Sequence, residues 1–201
     1  TVSDVHPALN AFGQVLPGAH AVLATRGGSI GSDHAEIVLV DLATHAATPL
    51  VSNAYAPQYV PPGYLLFARM GNLMAIRFDP GSGHVAGDPF PVASGAAMES
   101  LMGLMQASSS HTGLAAFVPG GDMSVGKIAK VSALGLGGAV EYLDLPENVY
   151  GVVSLRQPNG RQLAVQVADV KDYVLIYDLD RRQQYRVPGS DEEGWPLWSP
   201  D

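Results

Sequence analysis

The chain has 201 residues, and its 47% hydrophobic and 15% charged residues exclude an intrinsically disordered protein. Eleven lysines and arginines against 19 acidic residues give a net charge of −8. The basic residues cluster only sparsely, around Arg156/Arg161 and around Arg181-Arg182, so we expect no nucleic-acid partner, which would need a concentrated basic face.

The absence of cysteine excludes disulfides, a thiolate nucleophile and cysteine-bound zinc. No run of apolar residues approaches the length of a membrane-spanning helix, so we expect no membrane insertion of this segment. The 23 glycines and 15 prolines follow no collagen period and therefore indicate many turns.

A weak internal repeat runs along the chain. Four times, a glycine-containing turn directly precedes a short apolar run: "LPGAHAVLAT" (16–25), "PPGYLLFAR" (61–69), "SHTGLAAFV" (110–118) and "QPNGRQLAV" (157–165). The turn glycines are 45 to 50 residues apart, and the terminal "WSPD" aligns with "QPNG" at a spacing of 42. Repeats of this length indicate an array of similar structural units.

A second strand-like element follows each turn. These elements are "AEIVLVDL" (35–42), "NLMAIRFD" (72–79), "GKIAKVSA" (126–133) and "DYVLIYDL" (172–179). "HAATPLV" after the first and "RQQYRVP" after the fourth predict a further strand, and no window longer than ten residues has a helical period. Four strands per unit predict an all-β chain made of the four-stranded antiparallel blades of a β-propeller. The predicted blades span residues 11–51, 57–92, 104–145 and 151–187, with a partial blade at 195–201, all in one domain of residues 1–201.

Several of these segments resemble TolB-like (WD-like) propeller repeats. "LRQPNGRQLAV" and "WSPD" are similar to the "SPDG" turn of that family, and residues 59–95 resemble the propeller segment found C-terminal to the kinase domain of many bacterial Ser/Thr protein kinases. "SHTG" and "QPNG" depart from the usual turn sequence, but Asn and Gly both keep its geometry accessible. The kinase resemblance implies an extracytoplasmic or periplasmic location if a membrane helix precedes this segment; otherwise the compartment is unknown.

The terminal "EEGWPLWSPD" is interpreted as the first strand of a fifth unit, so the chain is expected to be a piece of a longer propeller. An open propeller leaves a blade edge uncovered, which favours self-association. The alternative is a closed four-bladed ring.

Candidate catalytic or metal-binding residues are few. Gly27 to Gly31 match the G-x-S-x-G nucleophile elbow around Ser29, but the motif lies between two predicted strands, and a hairpin loop is the preferred interpretation. The histidines have no metal-binding spacing and are interpreted as loop residues: His6, His20, His34, His45, His84 and His111. Asp178/Asp180 and the acidic stretch 191–193 are interpreted as strand-end caps and a solvated loop.

Three further stretches have structural interpretations. The methionine-rich residues 96–110 contain Met98, Leu101, Met102 and Met105; a partner-binding helical face is possible, but a loop followed by a first strand is preferred. "GLGGAV" (135–140) is interpreted as a turn. Trp195 and Trp198 are interpreted as packing residues between blades, although tryptophan also marks binding surfaces.

We therefore predict a non-catalytic, TolB-like propeller module for protein or peptide binding or sensing that is part of a larger protein. No catalytic residue, cofactor or metal is predicted. The alternative is the propeller domain of a hydrolase, either a prolyl-oligopeptidase-like gating domain or a metal-dependent, lactonase-like enzyme.

Overall fold

The computed structural model describes residues 9–27, 34–96, 98–99, 104–120, 128–129, 131–134, 140–190 and 194–199. Within these ranges every regular element is a β-strand, so the all-β prediction is confirmed. The chain divides into two compact units, the first made of residues 1–94 with 99–105 and the second of residues 95–98 with 106–201.

The first unit contains two antiparallel four-stranded sheets, each with its strands in chain order. Its strands are β1 (Leu9–Val15), β2 (Ala21–Arg26), β3 (Glu36–Asp41), β4 (Ala47–Ser52), β5 (Tyr55–Val60), β6 (Tyr64–Arg69), β7 (Asn72–Asp79) and β8 (His84–Ser94). The predicted segments 35–42 and 72–79 therefore match β3 and β7 closely, because both contain β-branched or aromatic residues and are bounded by turns.

The two sheets of the first unit are held together by a shared apolar core. Leu23 and Ile37 of the first sheet pack with Leu65 and Phe67 of the second, and all four are fully buried. A smaller cluster of Ala24, Val38, Val40 and Ala47 lies on the opposite face of the first sheet. Because β2 and β3 carry apolar side chains on both faces, they lose the usual alternation and appear as continuous apolar runs.

The second unit contains two further sheets. Its strands are β11 (Ala107–Ser109), β12 (Ala115–Phe117), β13 (Ile128–Ala129), β14 (Ser132–Leu134), β15 (Val140–Tyr142), β16 (Asn148–Leu155), β17 (Gln162–Ala168), β18 (Tyr173–Asp178) and β19 (Gln183–Arg186). One sheet has the order β11-β12-β14-β15, and the other has β16 to β19 in chain order with β13 added beside β16. Between the units in sequence, β9 (Met98–Glu99) and β10 (Leu104–Met105) form a separate pair.

A second apolar core joins the sheets of this unit. Ala116, Val131 and Ala133 pack with Val153 and Leu163, and all five are buried. The first strands of the two sheets are also bonded directly, since the backbone N–H of Leu155 donates to Ser108 Oγ at 3.0 Å. Within each unit one four-stranded sheet thus packs on the other, as the blades of a β-propeller do, and the chain carries four such blades, two in each unit.

An aspartate closes the third strand of three blades. Asp41 accepts hydrogen bonds from the backbone N–H of Ala43 and Thr44, and Asp79 accepts one from Gly81. The backbone and hydroxyl donors of Thr44 lower the pKa of Asp41, and the Ser82 side chain, followed by the Gly81 amide, lowers the pKa of Asp79. Asp178 caps the same position in the fourth blade, with backbone N–H donors at 2.9 and 3.1 Å. The predicted role of Asp178 as a strand-end cap is confirmed.

Three details differ from the sequence predictions. The predicted single strand at 126–133 is two short strands: β13 pairs with Val149 and Asn148 at the edge of β16, and β14 pairs with β12. In the methionine-rich stretch, β9 and β10 pair with each other, and the first strand of the third blade begins only at Ala107. Residues 194–199, where the sequence predicts the first strand of a fifth blade, are assigned no β-strand in the described structure.

Candidate functional site

The fourth blade carries a concave surface at one of its ends. Strands β16 and β18 run in the same direction, so the β16–β17 turn and the β18–β19 turn emerge at the same end of the sheet. Between them lies a cavity of about 680 Å³, lined by Arg156, Gln157, Pro158, Asn159, Arg161, Gln162, Asp178, Asp180 and Arg181. The two sparse basic clusters of the sequence, which are 20 residues apart, therefore converge on one surface.

One wall of the concavity is fixed by the preceding blade. Gln157 donates from Nε2 to the Ser109 carbonyl at 2.6 Å and accepts at Oε1 from the His111 backbone N–H at 3.0 Å. Thr112 Oγ1 donates to the Asn159 carbonyl at 3.1 Å. These bonds span 46 to 48 residues of sequence, one repeat length, so the β16–β17 turn of the fourth blade contacts the equivalent turn of the third blade.

Gly160 completes this contact because only glycine fits there. Its φ is +68°, a left-handed conformation that favours glycine. A Cβ at this position would lie 2.7 Å from Ser110 Cβ, closer than carbon atoms pack. The β16–β17 turn is therefore held in a defined shape, as a preorganised binding surface requires.

The opposite wall is the β18–β19 turn, which Asp178 organises. Its Oδ1 accepts from the backbone N–H groups of Asp180 and Arg181, while its Oδ2 lies 3.4 Å from Arg181 Nη1. The carboxyl side chain of Asp178 is 17% exposed, whereas the Arg181 side chain is 76% exposed. Asp178 thus serves the turn, and the Arg181 guanidinium faces solvent.

The charges of the concavity are only loosely paired with one another. Three arginines and two aspartates give the lining a local excess of one positive charge, in a chain of net charge −8. Arg161 Nη1 lies 3.4 Å from Asp180 Oδ2, with both side chains more than 60% exposed. Exposed ion pairs contribute about 0–1 kcal/mol, so these arginines can exchange partners at little cost.

An aromatic side chain borders the site through Arg156. The Arg156 guanidinium carbon lies 5.3 Å from the Trp198 ring centroid, and Arg156 Nη1 donates to Gln162 Oε1 at 2.7 Å. Trp198 donates from Nε1 to the Ser154 carbonyl at 2.8 Å and packs beside Ala164, Val174 and Ile176. The segment around Trp198, in which the sequence predicts a fifth repeat to begin, therefore lies against the fourth blade. It contacts that blade through side chains and is assigned no strand.

The lining consists of charged and amide side chains. The described residues that line the concavity are arginines, aspartates, amides and a proline, and none of them carries a hydroxyl, thiol or imidazole. Across the described part of the chain no three histidines or carboxylates converge on a possible metal position. Arginine and amide donors are suited to hold an anionic or hydrogen-bond-accepting ligand.

The other residues considered in the sequence do not form a site in the described structure. The five described histidines are exposed, as the loop interpretation predicts: His20, His34, His45, His84 and His111. Met105 is buried, which places it in packing, and Trp195 is 45% exposed. Ser29 lies outside the described residues, and the strands on either side of it, β2 and β3, pair with each other antiparallel.

Several other predictions also fall outside the described residues. These are His6, the acidic residues 191–193, most of the glycine-rich stretch 135–140, and the side chains of Met98, Leu101 and Met102. The concavity is not apparent from the sequence when the two basic clusters are considered separately. The repeat contains a signal for it. In an antiparallel four-stranded blade, the turn after the first strand and the turn after the third strand lie at the same end of the sheet.

Comparison with known proteins supports the fold and no closer relationship. No protein-family model matches the sequence, and the search of curated proteins also finds no match. Puromycin hydrolase is similar over 92% of this chain and 29% of its own, with a TM-score of 0.65 and 14% identity. The β-propeller domain of the Trilobed protease from Pyrococcus furiosus is similar over 89% of this chain and 70% of its own, with a TM-score of 0.51 and 10% identity.

A third similar structure is the Dos1 propeller, with a TM-score of 0.58 and 7% identity over 90% of this chain and 47% of its own. Because all three sequence identities are low, the structural similarity establishes only that the fold is a β-propeller. The chain spans less than a third of the length of puromycin hydrolase. Among the described residues there is no helix with the length and hydropathy needed to cross a membrane.

Proposed function

We propose that the chain is a non-catalytic propeller module that binds a peptide or protein segment at the concavity of the fourth blade and works as part of a larger protein. The observation that carries this proposal is the lining: arginine and amide hydrogen-bond donors on two turns whose shapes are held by hydrogen bonds. Fixed turns with exposed polar groups are the usual setting for recognition.

A steric block tests the site. Asp180 is 61% exposed and lines the concavity, so Asp180→Trp should fill the cavity while costing no more than a surface ion pair. Peptides selected from a random library against the unmodified chain should bind at least about tenfold more weakly to this variant. Asp88→Trp, at an exposed position of β8, is the matched control and should bind them normally. Equal loss in both variants, or none in either, would place binding elsewhere.

The second candidate is the accessory propeller of a hydrolase. Its support is the similarity to puromycin hydrolase and to the Trilobed protease propeller, and the prolyl-oligopeptidase-like gating alternative is compatible with the same peptide-binding surface. In this case the hydrolytic domain would lie outside the 201 residues. A fluorophosphonate probe should then label the full gene product at a serine outside this chain, and a product that is never labelled contradicts this candidate.

The finer assignments rest on sequence motifs alone. We also propose that the chain is related to TolB-like propellers, and the motifs "WSPD" and "QPNG" support this relationship. Residues 59–95 support a link to a bacterial membrane kinase, which would imply an extracytoplasmic location. A metal-dependent lactonase would need converging metal ligands, and no observation within the described residues favours that alternative.

A further inference from the structure

We infer that the concavity of the fourth blade is a carboxylate-binding site for acidic peptides, with Arg161 and Arg181 as the residues that hold the ligand. This inference rests on the proposed function, since it names the chemical class of the peptide that the concavity takes. The first observation in its support is that two carboxylates of the chain itself already lie beside these arginines.

Asp180 marks the position that a ligand would take. Its Oδ2 lies 3.4 Å from Arg161 Nη1, and its side chain is 61% exposed, so a carboxylate already stands at the mouth of the site. Asp180 does not close the turn with its side chain; Asp178 does that with Oδ1. A ligand carboxylate can therefore replace the Asp180 carboxylate on Arg161 and leave the turn intact.

Arg181 supplies the second cation. The Arg181 side chain is 76% exposed, and its single 3.4 Å contact to Asp178 Oδ2 is long for a charge-assisted hydrogen bond. Since guanidinium groups match carboxylates through two parallel N–H donors, both arginines gain contacts when a free carboxylate enters.

The amide side chains give the site its preference for a peptide over a bare anion. Asn159 and Gln162 lie in the same lining and carry N–H groups suited to backbone carbonyls of an extended ligand. Asn159 is fixed by the Arg161 backbone N–H, which donates to Asn159 Oδ1 at 3.0 Å, and Gln162 is fixed by Arg156. The net charge of −8 disfavours a polyanion such as nucleic acid, whereas a local positive excess admits a short acidic segment.

The test is the binding of a rhodamine-labelled tetraglutamate peptide, followed by fluorescence anisotropy at low salt, with the tetraglutamine peptide as the uncharged comparison. The double variant Arg161→Asn, Arg181→Asn should weaken tetraglutamate binding by about tenfold or more, and added salt should weaken it in the unmodified chain. Arg182→Asn removes the neighbouring charge outside the lining, and its binding should stay within about twofold of the unmodified chain.

Asp180→Asn gives the more specific result. Because it removes the competing carboxylate and leaves Arg161 in place, it should tighten tetraglutamate binding several-fold, whereas a merely structural role for Asp180 predicts weaker binding. Asp169→Asn makes the same charge change in the β17–β18 turn, at the other end of the blade, and should have a smaller effect. Thermal melts followed by circular dichroism verify that each variant is folded.

The inference is overturned if tetraglutamate and tetraglutamine bind alike, if Arg182→Asn weakens binding as much as the double variant, or if inorganic phosphate displaces tetraglutamate at equal concentration. The last result would indicate a small-anion site. Failure of this inference is distinguishable from failure of the proposed function. If library peptides without acidic residues bind and Asp180→Trp blocks them, the concavity is still a peptide-binding surface, and only its preference for carboxylates is contradicted.

Discussion

At the scale of single residues, the buried tyrosine Tyr150 has a pKa well above its usual range. Its hydroxyl donates to the Pro146 carbonyl, and its side chain is only 3% exposed. Burial, with a smaller contribution from nearby Tyr173, raises the pKa of Tyr150 to about 12. The neutral phenol is therefore the form that the folded chain holds.

This burial makes stability depend on alkaline pH. The unfolded phenol ionises near pH 10 and the folded one near 12, so the contribution is complete below about pH 10 and is lost as the pH rises through 12. The loss is at most about 3 kcal/mol. Tyr150→Phe should cost about 1 kcal/mol at neutral pH through the lost hydrogen bond, and should flatten the decline above pH 10.

Urea unfolding at a series of pH values measures both effects. Tyr185→Phe, at a position 54% exposed, is the control and should retain the decline of the unmodified chain. If the Tyr150→Phe variant declines as steeply as the unmodified chain, the phenol is not the group responsible.

At the scale of elements, the contact between the turns of the third and fourth blades depends on Gly160. Gly160→Ala should lower the free energy of unfolding by about 2–4 kcal/mol, because the left-handed φ costs roughly 1 kcal/mol and the Cβ would collide with Ser110.

Gly189 provides the matched comparison for this change. Its φ is +71°, but a Cβ there would meet no atom within 4 Å. Gly189→Ala should therefore cost only the conformational part, about 1 kcal/mol. Denaturant midpoints of the two variants separate the contributions, and equal losses would show that the turn-to-turn contact adds nothing.

Elements also show how far the sequence predicts the structure. Asn72–Asp79 coincides with a predicted strand because its alternation, its preceding glycine turn and its closing aspartate all agree. The structure of residues 126–133 is harder to predict, because two short strands of different sheets follow each other there. The local sequence pattern does not indicate which partner each strand pairs with. The candidate site also depends on strand pairing, which the local sequence does not reveal. Arg161 and Arg181 are isolated charges in the sequence, and only the pairing of β16 to β19 brings their turns to the same end of the blade.

At the scale of the whole molecule, the outer strands of the blades bear on association. Strands β15 and β19 lie at sheet edges and carry exposed apolar side chains, including Tyr142 at 69% and Tyr185 at 54% exposure. Leu197, in the segment without a strand partner, is 88% exposed. Edges of this kind favour pairing with another copy.

We therefore expect the isolated chain to be at least dimeric, with a mass by light scattering at least twice the 21.0 kDa of one chain. Tyr185→Lys places a charge on the edge and should shift the distribution toward the monomer. A compact, strictly monomeric species at every soluble concentration would contradict self-association and favour the closed-ring alternative.

The bonds between successive turns also determine where the fourth blade tolerates new sequence. Lengthening the β16–β17 turn would displace Gln157 and Asn159 from partners on the neighbouring blade, so the change would spread beyond the hairpin that contains it. In the β17–β18 connection, at the other end of the blade, Val170 is 99% exposed. We therefore expect grafted epitopes or labels to be tolerated best at Val170, at the end of the blade opposite the concavity.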